Sequence, residues 1–397
     1  MRIGWWGAGF MSGKVLVAGA AMASFLPLGG CDSHAALAGQ AIRAALADAR
    51  IDYDLVDQVF TSCVHGEAGI AEQILSQIGY SGVPVFSLSD GCASASSAFQ
   101  LAHNSVLCGQ AECVLVVGVE CMPARISNRE FFGLKELSRF ESATAGQGDS
   151  PIAFIERRQQ PALLFAAQTS WLLTRMGIAE SSFDQVLEGA RTQAGLNPYA
   201  VLNRVPGRDG WLPPYLCPPA CGAAAVLICT PAFALRFGAK ADVTVLASAR
   251  GSDSASEQES GCVLDVLGRA TTRRVAQQAY EQAGLGAEDI DVVELHDQSV
   301  GDFMVNSAAL GFCREDEIDR FVQFGHRLKG QMKAVNPSGG LLGRGHAPGA
   351  TGLAQLVELV WQLRDMADGR QISGTRTALQ HSTALGRAVS VTILQRT

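Results

Sequence analysis

Three residues of this 397-residue chain sit where a side chain can act on a substrate. Cys92 lies in "SLSDGCASASSAFQ", after a run of β-formers, "VPVFSLS", and before a stretch with helical spacing of apolar positions. A thiol where a helix begins meets orphan N–H groups and the positive end of the dipole, which favour its thiolate. His296 follows the apolar "DVVEL" and leads into "VGDFMVNSAALGF", so it sits at a strand's C-terminal end, where α/β sheets carry their sites. His346 is set in the glycine-rich "NPSGGLLGRGHAPGATGLAQLVELVWQL"; glycines allow close approach and unusual backbone angles. A fourth stretch, "ALQHSTALGRAVSV", adds His381 and Gly386 in a tight turn that offers backbone N–H groups to an oxyanion. A thiol to attack an acyl carbonyl, an imidazole to take its proton and backbone donors for the oxyanion make up the parts of thioester chemistry. Each stretch taken singly also suits a packed turn or a satisfied histidine.

Composition restricts the alternatives. Hydrophobic residues make up 48% and charged residues 17%, which suits extensive burial rather than disorder. A net charge of −7 argues against nucleic-acid binding, which draws on phosphate neutralisation. The 11 cysteines show no zinc spacing: Cys217 and Cys221 form a CxxxC with no second pair, and no metal is expected. Reduced thiols in a cytoplasmic protein are expected, with Cys113 and Cys229 acting as small hydrophobes. There is no GxxxxGK[ST] and no GxGxxG after a strand, so no phosphate loop is expected.

The elements that must position these residues are legible as a duplication. "ALAGQAIRAALADARIDYDLVDQVF" (36–60) and "VAQQAYEQAGLGAEDIDVVEL" (275–295) each hold an alanine-rich amphipathic helix, an acidic connection and a strand. Their separation, about 240 residues, predicts two similar α/β halves. In the first half, strands are expected at 15–19, 57–63, 83–88, 113–120 and 223–229, and helices at 35–48, 70–79 and 93–108. An insertion from about 123 to 220 carries Arg125, Arg129, Arg157 and Arg158, then "QPALLFAAQTSWLLTRMG" and the proline-rich "GWLPPYLCPPACG"; insertions of this size are usually functional. The expected division is 1–13 as an extension, 14–235 as the first half and 236–397 as the second. Alternating strands and helices predict a largely parallel sheet in each half, covered on both faces. The start, "MRIGWWGAGFMSGKVLVAGAAMASFLPLGGC", reads either as a lipoprotein signal ending at Cys31 or as an extension before the first core strand.

With these motifs in order, the chain resembles the thiolase superfamily, most closely the sterol-carrier-protein-X type. "DGCASASSAFQLAHNSVLCGQAECVLVVGVECM" is similar to that family's nucleophile region, "IDVVELHDQSVGDFMVNSAALGFC" to its HDCF stretch, and "VNPSGGLLGRGHAPGATGLAQLVELVWQLR" to its GHP stretch. "LNPYA" and "CGAAAVLI" resemble landmarks of its loop domain. The resemblance runs from about residue 14 through the final strand, with no counterpart of that type's lipid-carrier domain. It implies that "KVLVAGAAMASF" is core strand rather than signal, that the first ten residues are an extension and that Met11 is a candidate start.

The resemblance further implies a five-layered αβαβα fold with coenzyme A held against the loop domain, where Arg125, Arg129, Arg157 and Arg158 are candidate contacts. Cys92 takes the position of the acylated nucleophile, His346 of the histidine that activates it, and His296 of the histidine that holds the second thioester's oxygen. Ala384 and Gly386 occupy the site-lining turn, whose N–H groups with that of Cys92 would form an oxyanion hole. The coenzyme A thioester is substrate; no resident cofactor is expected, nor nucleic acid or membrane, while a homodimer and a small accessory subunit fit the resemblance. Three departures stand out. The family's HDCF cysteine is Gln298 here, "HSTALGR" has no cysteine, and that turn carries Ala384 and Arg387. A glutamine does no acid/base work near neutral pH, and a reactive cysteine elsewhere, such as Cys63, is an open alternative. The expected activity is acyltransfer through Cys92 in lipid metabolism, on β-ketoacyl-CoA with a bulky or steroid-like chain. The alternatives are a biosynthetic acyltransferase without C–C chemistry, or a catalytically silent acyl-CoA-binding subunit.

Overall fold

The computed structural model describes residues 13–124, 160–204, 215–260, 262–325, 327–328 and 331–397. Arg125, Arg129, Arg157 and Arg158 lie outside them.

The first half contributes β1 (Val15–Met22), α1 (His34–Ala49), β2 (Gln58–Ser62), α2 (Ile70–Leu75), β3 (Val85–Leu88), α3 (Ser94–Leu107), β4 (Cys113–Glu120) and β5 (Gly222–Cys229). Between β4 and β5 the insertion folds α4 (Gln160–Arg175) and α5 (Glu180–Leu196). The second half contributes β6 (Val243–Gly251), α6 (Arg269–Ala283), β7 (Val292–Glu294), α7 (Val300–Ala309), β8 (Ala334–Val335), α8 (Thr351–Leu363), β9 (Thr377–Thr383) and β10 (Val389–Arg396).

The strands run β8-β7-β9-β10-β6 and then β1-β5-β4-β2-β3 in one ten-stranded sheet. The halves join where Val15 and Leu16 pair antiparallel with Val245 and Thr244. The two orders match strand for strand, β1-β5-β4-β2-β3 against β6-β10-β9-β7-β8, and so do the pairing directions. The duplicated segments of the sequence are therefore α1 with β2 and α6 with β7.

The expected largely parallel sheets are corrected to mixed ones. β2 pairs parallel with β3 and β4, but β5 runs antiparallel to both β1 and β4. Parallel neighbours need a crossover of a dozen or more residues. β9 and β10 are joined by the turn 384–388 and can pair only antiparallel, while β5 returns from the insertion.

Both faces of β1 are covered. Val15 and Val17 belong to one apolar cluster with α3 and α8, and Leu16 and Ala18 to another with α1. α1 covers the outer face of one half and α6 that of the other, while α3 and α8 lie between the halves. This is the αβαβα layering. α8 is buried along its whole length, and Gly352 lets it approach α3 so closely that a Cβ there would stand 2.2 Å from Ser96 Oγ. The small residues after Cys92 thus serve helix packing as well as access to the thiol.

Candidate active site

The structure brings the three chemistry-bearing residues together across the pseudo-symmetric halves. Cys92 Sγ and ring nitrogens of His296 and His346 all lie within 4.8 Å of one another. The imidazoles meet edge to face, with centroids 5.2 Å apart.

Cys92 sits on the turn between β3 and α3. Ser94 Oγ accepts from the Asp90 N–H and donates to the Gly91 carbonyl, both at 2.6 Å. Asp90 is in turn held by Ser97 and ion-paired to Arg250. The helix N-terminus does not leave the resting thiol ionised. Burial pushes it up to about 12, and the charge of Glu120 adds to this, while the Gln298 carboxamide and the thiol's own backbone N–H pull it back. At rest Cys92 is a thiol that needs a base.

The His346 ring lies close enough to Cys92 to serve as that base. Thr351 Oγ1 donates to the Ala347 carbonyl at 3.0 Å, so toward His346 Nδ1, 2.9 Å away, it acts as acceptor. Nδ1 then carries the proton, and Nε2 is the ring's basic nitrogen. Burial first, then the charges of His296, Arg344 and His65, hold His346 far below the usual histidine range, so it is neutral and ready to accept. His296 is pushed down to about 3, chiefly by burial. Its backbone is clamped: the N–H donates to His381 Nδ1 at 3.3 Å and the carbonyl accepts from Asn306 at 2.8 Å. His381, singled out in the sequence, is thus a positioning residue, with Thr272 Oγ1 3.2 Å from its Nε2.

The glycine run around His346 has two structural causes. Gly340 adopts φ +60°, and a Cβ there would stand 2.2 Å from Asp297 Oδ2. A Cβ on Gly343 would stand 2.5 Å from the Ala190 carbonyl of α5. The insertion therefore packs on the His346 loop. It also reaches the second histidine segment, through Gln168 of α4.

Tyr215–Ala220 links the two histidine segments. The Cys217 N–H donates to the Gln298 carbonyl, the His346 N–H to the Pro218 carbonyl and the Ala220 N–H to the His346 carbonyl, each at 2.9 Å. Cys217 and Cys221, four residues apart in sequence, diverge: Cys217 is buried within electrostatic reach of Cys92, whereas Cys221 clusters with Cys31 and Cys121.

Several expectations change. The Ala384 N–H already donates to the Ala388 carbonyl at 2.8 Å, and the Gly386 N–H to Thr383 Oγ1 at 3.2 Å. Neither expected donor is available for an oxyanion. Antiparallel ladders alternate, so the Thr383 N–H points away from β10, to the side on which β7 ends. Cys63 is not the missing thiol. Its Sγ lies 3.6 Å from Glu120 Oε1, outside the Cys92 cluster, and burial and that carboxylate push it far up. The expectation of reduced thiols is corrected by a disulfide between Cys31 and Cys121, which forms because the loop after β1 crosses the end of β4. Cys31 is thereby a cross-link rather than a lipid attachment point. No helix among the described residues is long and apolar enough to cross a membrane.

Residues 15–138 match the family profile "Thiolase, N-terminal domain", and residues 252–396 match "Thiolase C-terminal domain-like". The chain belongs to the thiolase family. It is 32% identical to human sterol carrier protein 2 over 96% of this chain and 71% of that protein. It is 26% identical to the benzoylsuccinyl-CoA thiolase subunit BbsB of Thauera aromatica over 79% of this chain and 80% of that one. Among solved structures, the Ltp2-ChsH2(DUF35) aldolase superposes with a TM-score of 0.76 at 22% identity, covering 98% and 99% of the two chains. Human mitochondrial 3-ketoacyl-CoA thiolase superposes with a TM-score of 0.69 at 18% identity, covering 98% of this chain and all of that one. Acyltransferases are among its relatives, including acetyl-CoA acetyltransferase of Methanocaldococcus jannaschii at 27% identity, over 82% of each chain.

Proposed function

We propose that the chain is a thiolase-type acyltransferase that forms an acyl thioester on Cys92. The observation that carries this reading is the convergence of the Cys92 sulfur with the His296 and His346 imidazoles. His346 Nε2 takes the thiol proton as Sγ bonds to the acyl carbonyl carbon, because both groups rest in their neutral forms. Backbone N–H groups of Cys92 and Thr383 hold the oxyanion. The coenzyme A thiolate leaves as the carbonyl re-forms, taking the proton held on His346. His296 holds the oxygen of a second thioester.

The substrate is a β-ketoacyl-CoA or acyl-CoA with a bulky chain, a reading supported by the likeness to sterol carrier protein 2 and to a benzoylsuccinyl-CoA thiolase subunit. Coenzyme A rests against the insertion, with Arg125, Arg129, Arg157 and Arg158 as candidate contacts. The assembly is a homodimer paired through β3, an edge strand on which Val85 and Phe86 are exposed. A small accessory subunit is supported by the DUF35 component named in the similar aldolase. The division at 235 between the halves belongs to the same reading. So does a cytoplasmic location, with Cys31–Cys121 then a redox-responsive bond.

The test is intact mass after incubation with acetyl-CoA and a panel of longer acyl- and β-ketoacyl-CoAs, with Cys92→Ala alongside. An acyl-sized gain that is absent from the variant is expected, and the panel ranks substrates. No adduct from any thioester would sink the acyl-enzyme and favour the silent acyl-CoA-binding subunit.

A further inference from the structure

Gln298 occupies the place of the thiol that would move the α-carbon proton, and a carboxamide cannot do so. Three buried ionisable groups lie next to Gln298 in the chain or within electrostatic reach of Cys92. Asp297 faces away: its Oδ1 accepts from the Leu341 N–H at 2.7 Å and its Oδ2 lies against the Gly340 backbone. Cys217 is buried beside Cys92, Asp297 and Asp302, and burial with those charges raises its thiol far above its ordinary value. The third is Asp302, in the first turn of α7.

Asp302 is fixed in place four residues beyond Gln298. Ser299 Oγ caps its N–H at 2.9 Å and donates to Gln168 Oε1 at 2.8 Å, and Gln168 Nε2 donates to Asp302 Oδ1 at 2.8 Å. Gly301 leaves room for this arrangement, since a Cβ there would stand 2.4 Å from Gln168 Oε1. The carboxyl therefore does not cap its own helix; Ser299 does. No cation pairs with it among the described residues, an expensive arrangement for a buried carboxyl with only a packing role. Its charge reaches both Cys92 and Cys217. Around the pocket, Asp302 and Cys92 keep 6% and 5% exposure while His296 and His346 keep none.

We propose that Asp302 is the acid/base that moves the α-carbon proton of the second thioester, in place of the thiol displaced by Gln298. This rests on the acyl-transfer reading of the pocket. The Asp302 carboxylate takes the proton from the α-carbon, and the C–H electron pair passes to the thioester oxygen as an enolate. The resulting carboxylic acid returns a proton to the same carbon, or the enolate carbon bonds to the acyl carbon on Cys92 and expels its sulfur. Burial pushes Asp302 up to about 7, offset in part by Gln168 and Ser299, where a base works best near neutral pH.

The experiment is α-hydrogen exchange into acetyl-, propionyl- and octanoyl-CoA in D2O, read by mass, with Cys92 acylation read by intact mass on the same samples. Wild type should exchange. Asp302→Asn should exchange about 10²- to 10⁴-fold more slowly while acylating Cys92 within about threefold of wild type, which shows that it folds. Asp302→Glu should regain part of the exchange, and Cys217→Ser should leave it unchanged. No exchange by wild type, exchange retained in Asp302→Asn, or exchange lost in Cys217→Ser would each overturn the proposal. Asp302-dependent exchange without any Cys92 thioester would instead sink the acyl-enzyme reading and leave this one standing.

Discussion

The turn after β2 and the turn after β7 occupy equivalent places in the two halves, yet one is tied to a carboxylate and the other carries a ring of the Cys92 cluster. After β2 come Cys63, Val64 and His65, and all three are tied to Glu120: the Val64 and His65 N–H groups donate to its carboxylate at 3.1 and 2.9 Å, and Cys63 Sγ lies 3.6 Å away. After β7 come His296, Asp297 and Gln298: the His296 and Gln298 backbones are clamped and the Asp297 carboxyl accepts from the Leu341 N–H, while the His296 ring lies beside Cys92. The turns before the central helices differ in the same sense. The one before α3 leaves Cys92 slightly exposed, whereas the one before α8 buries His346 completely. Duplication supplied equivalent positions, and the residues at strand ends decided which became structural anchors. A carboxylate on β4 that accepts from the Val64, His65 and Gly349 N–H groups makes an anchor; backbone clamps on His296 that leave its ring to the Cys92 cluster make a site.

The largest effect that would break this comparison lies at the second half's central turn. His346→Ala should slow acylation of Cys92 by about 10²- to 10⁴-fold, since no other base replaces it. Single-turnover mass measurements check this, and an unchanged rate would move the base elsewhere.

The anchor should show in stability. Glu120→Ala leaves the N–H groups of Val64, His65 and Gly349 without their acceptor and should cost about 3–5 kcal/mol, read by urea unfolding at pH 7. Burial alone would raise the Glu120 carboxyl, but His65 and the backbone donors hold it below its ordinary value of 4.5. A depressed folded-state value means its contribution is complete above about pH 5 and drains away as the pH falls through that lower value. Unfolding of the wild type should therefore steepen below pH 4.5 more than that of Glu120→Gln.

The smallest effect sharpens the contrast. Cys63→Ser keeps a donor to Glu120 and should change stability by less than about 1 kcal/mol and leave acylation within about twofold. A large loss of acylation would mean that the turn after β2 takes part in the chemistry.

Local pattern was enough for much of the fold. The expected strands at 57–63, 83–88 and 113–120 fall on β2, β3 and β4, and the helix at 93–108 falls on α3, because strand alternation and helical spacing are properties of neighbouring residues. β1 ran longer than expected, to Met22, and α2 stopped at Leu75. Sheet direction was not legible, since it depends on whether a strand returns by crossover or by turn. Asp302 was hidden because Ser299-x-x-Asp302 reads as an ordinary helix cap. Only the placement of Gln168, more than a hundred residues earlier, fixes its carboxyl through the Gln168 Nε2 hydrogen bond. Thr351 was hidden likewise, as an unremarkable residue in the first turn of α8.

By itself the sequence determined the duplicated halves, the family, and the three residues of the Cys92 cluster, since these rest on motif order and local periodicity. Tertiary structure alone decided which N–H groups remain for an oxyanion, which cysteines pair or lie buried, and which carboxyls come within electrostatic reach of the thiol. Those depend on distances between segments far apart in the chain, and on how much water each group loses when the halves close around α3 and α8.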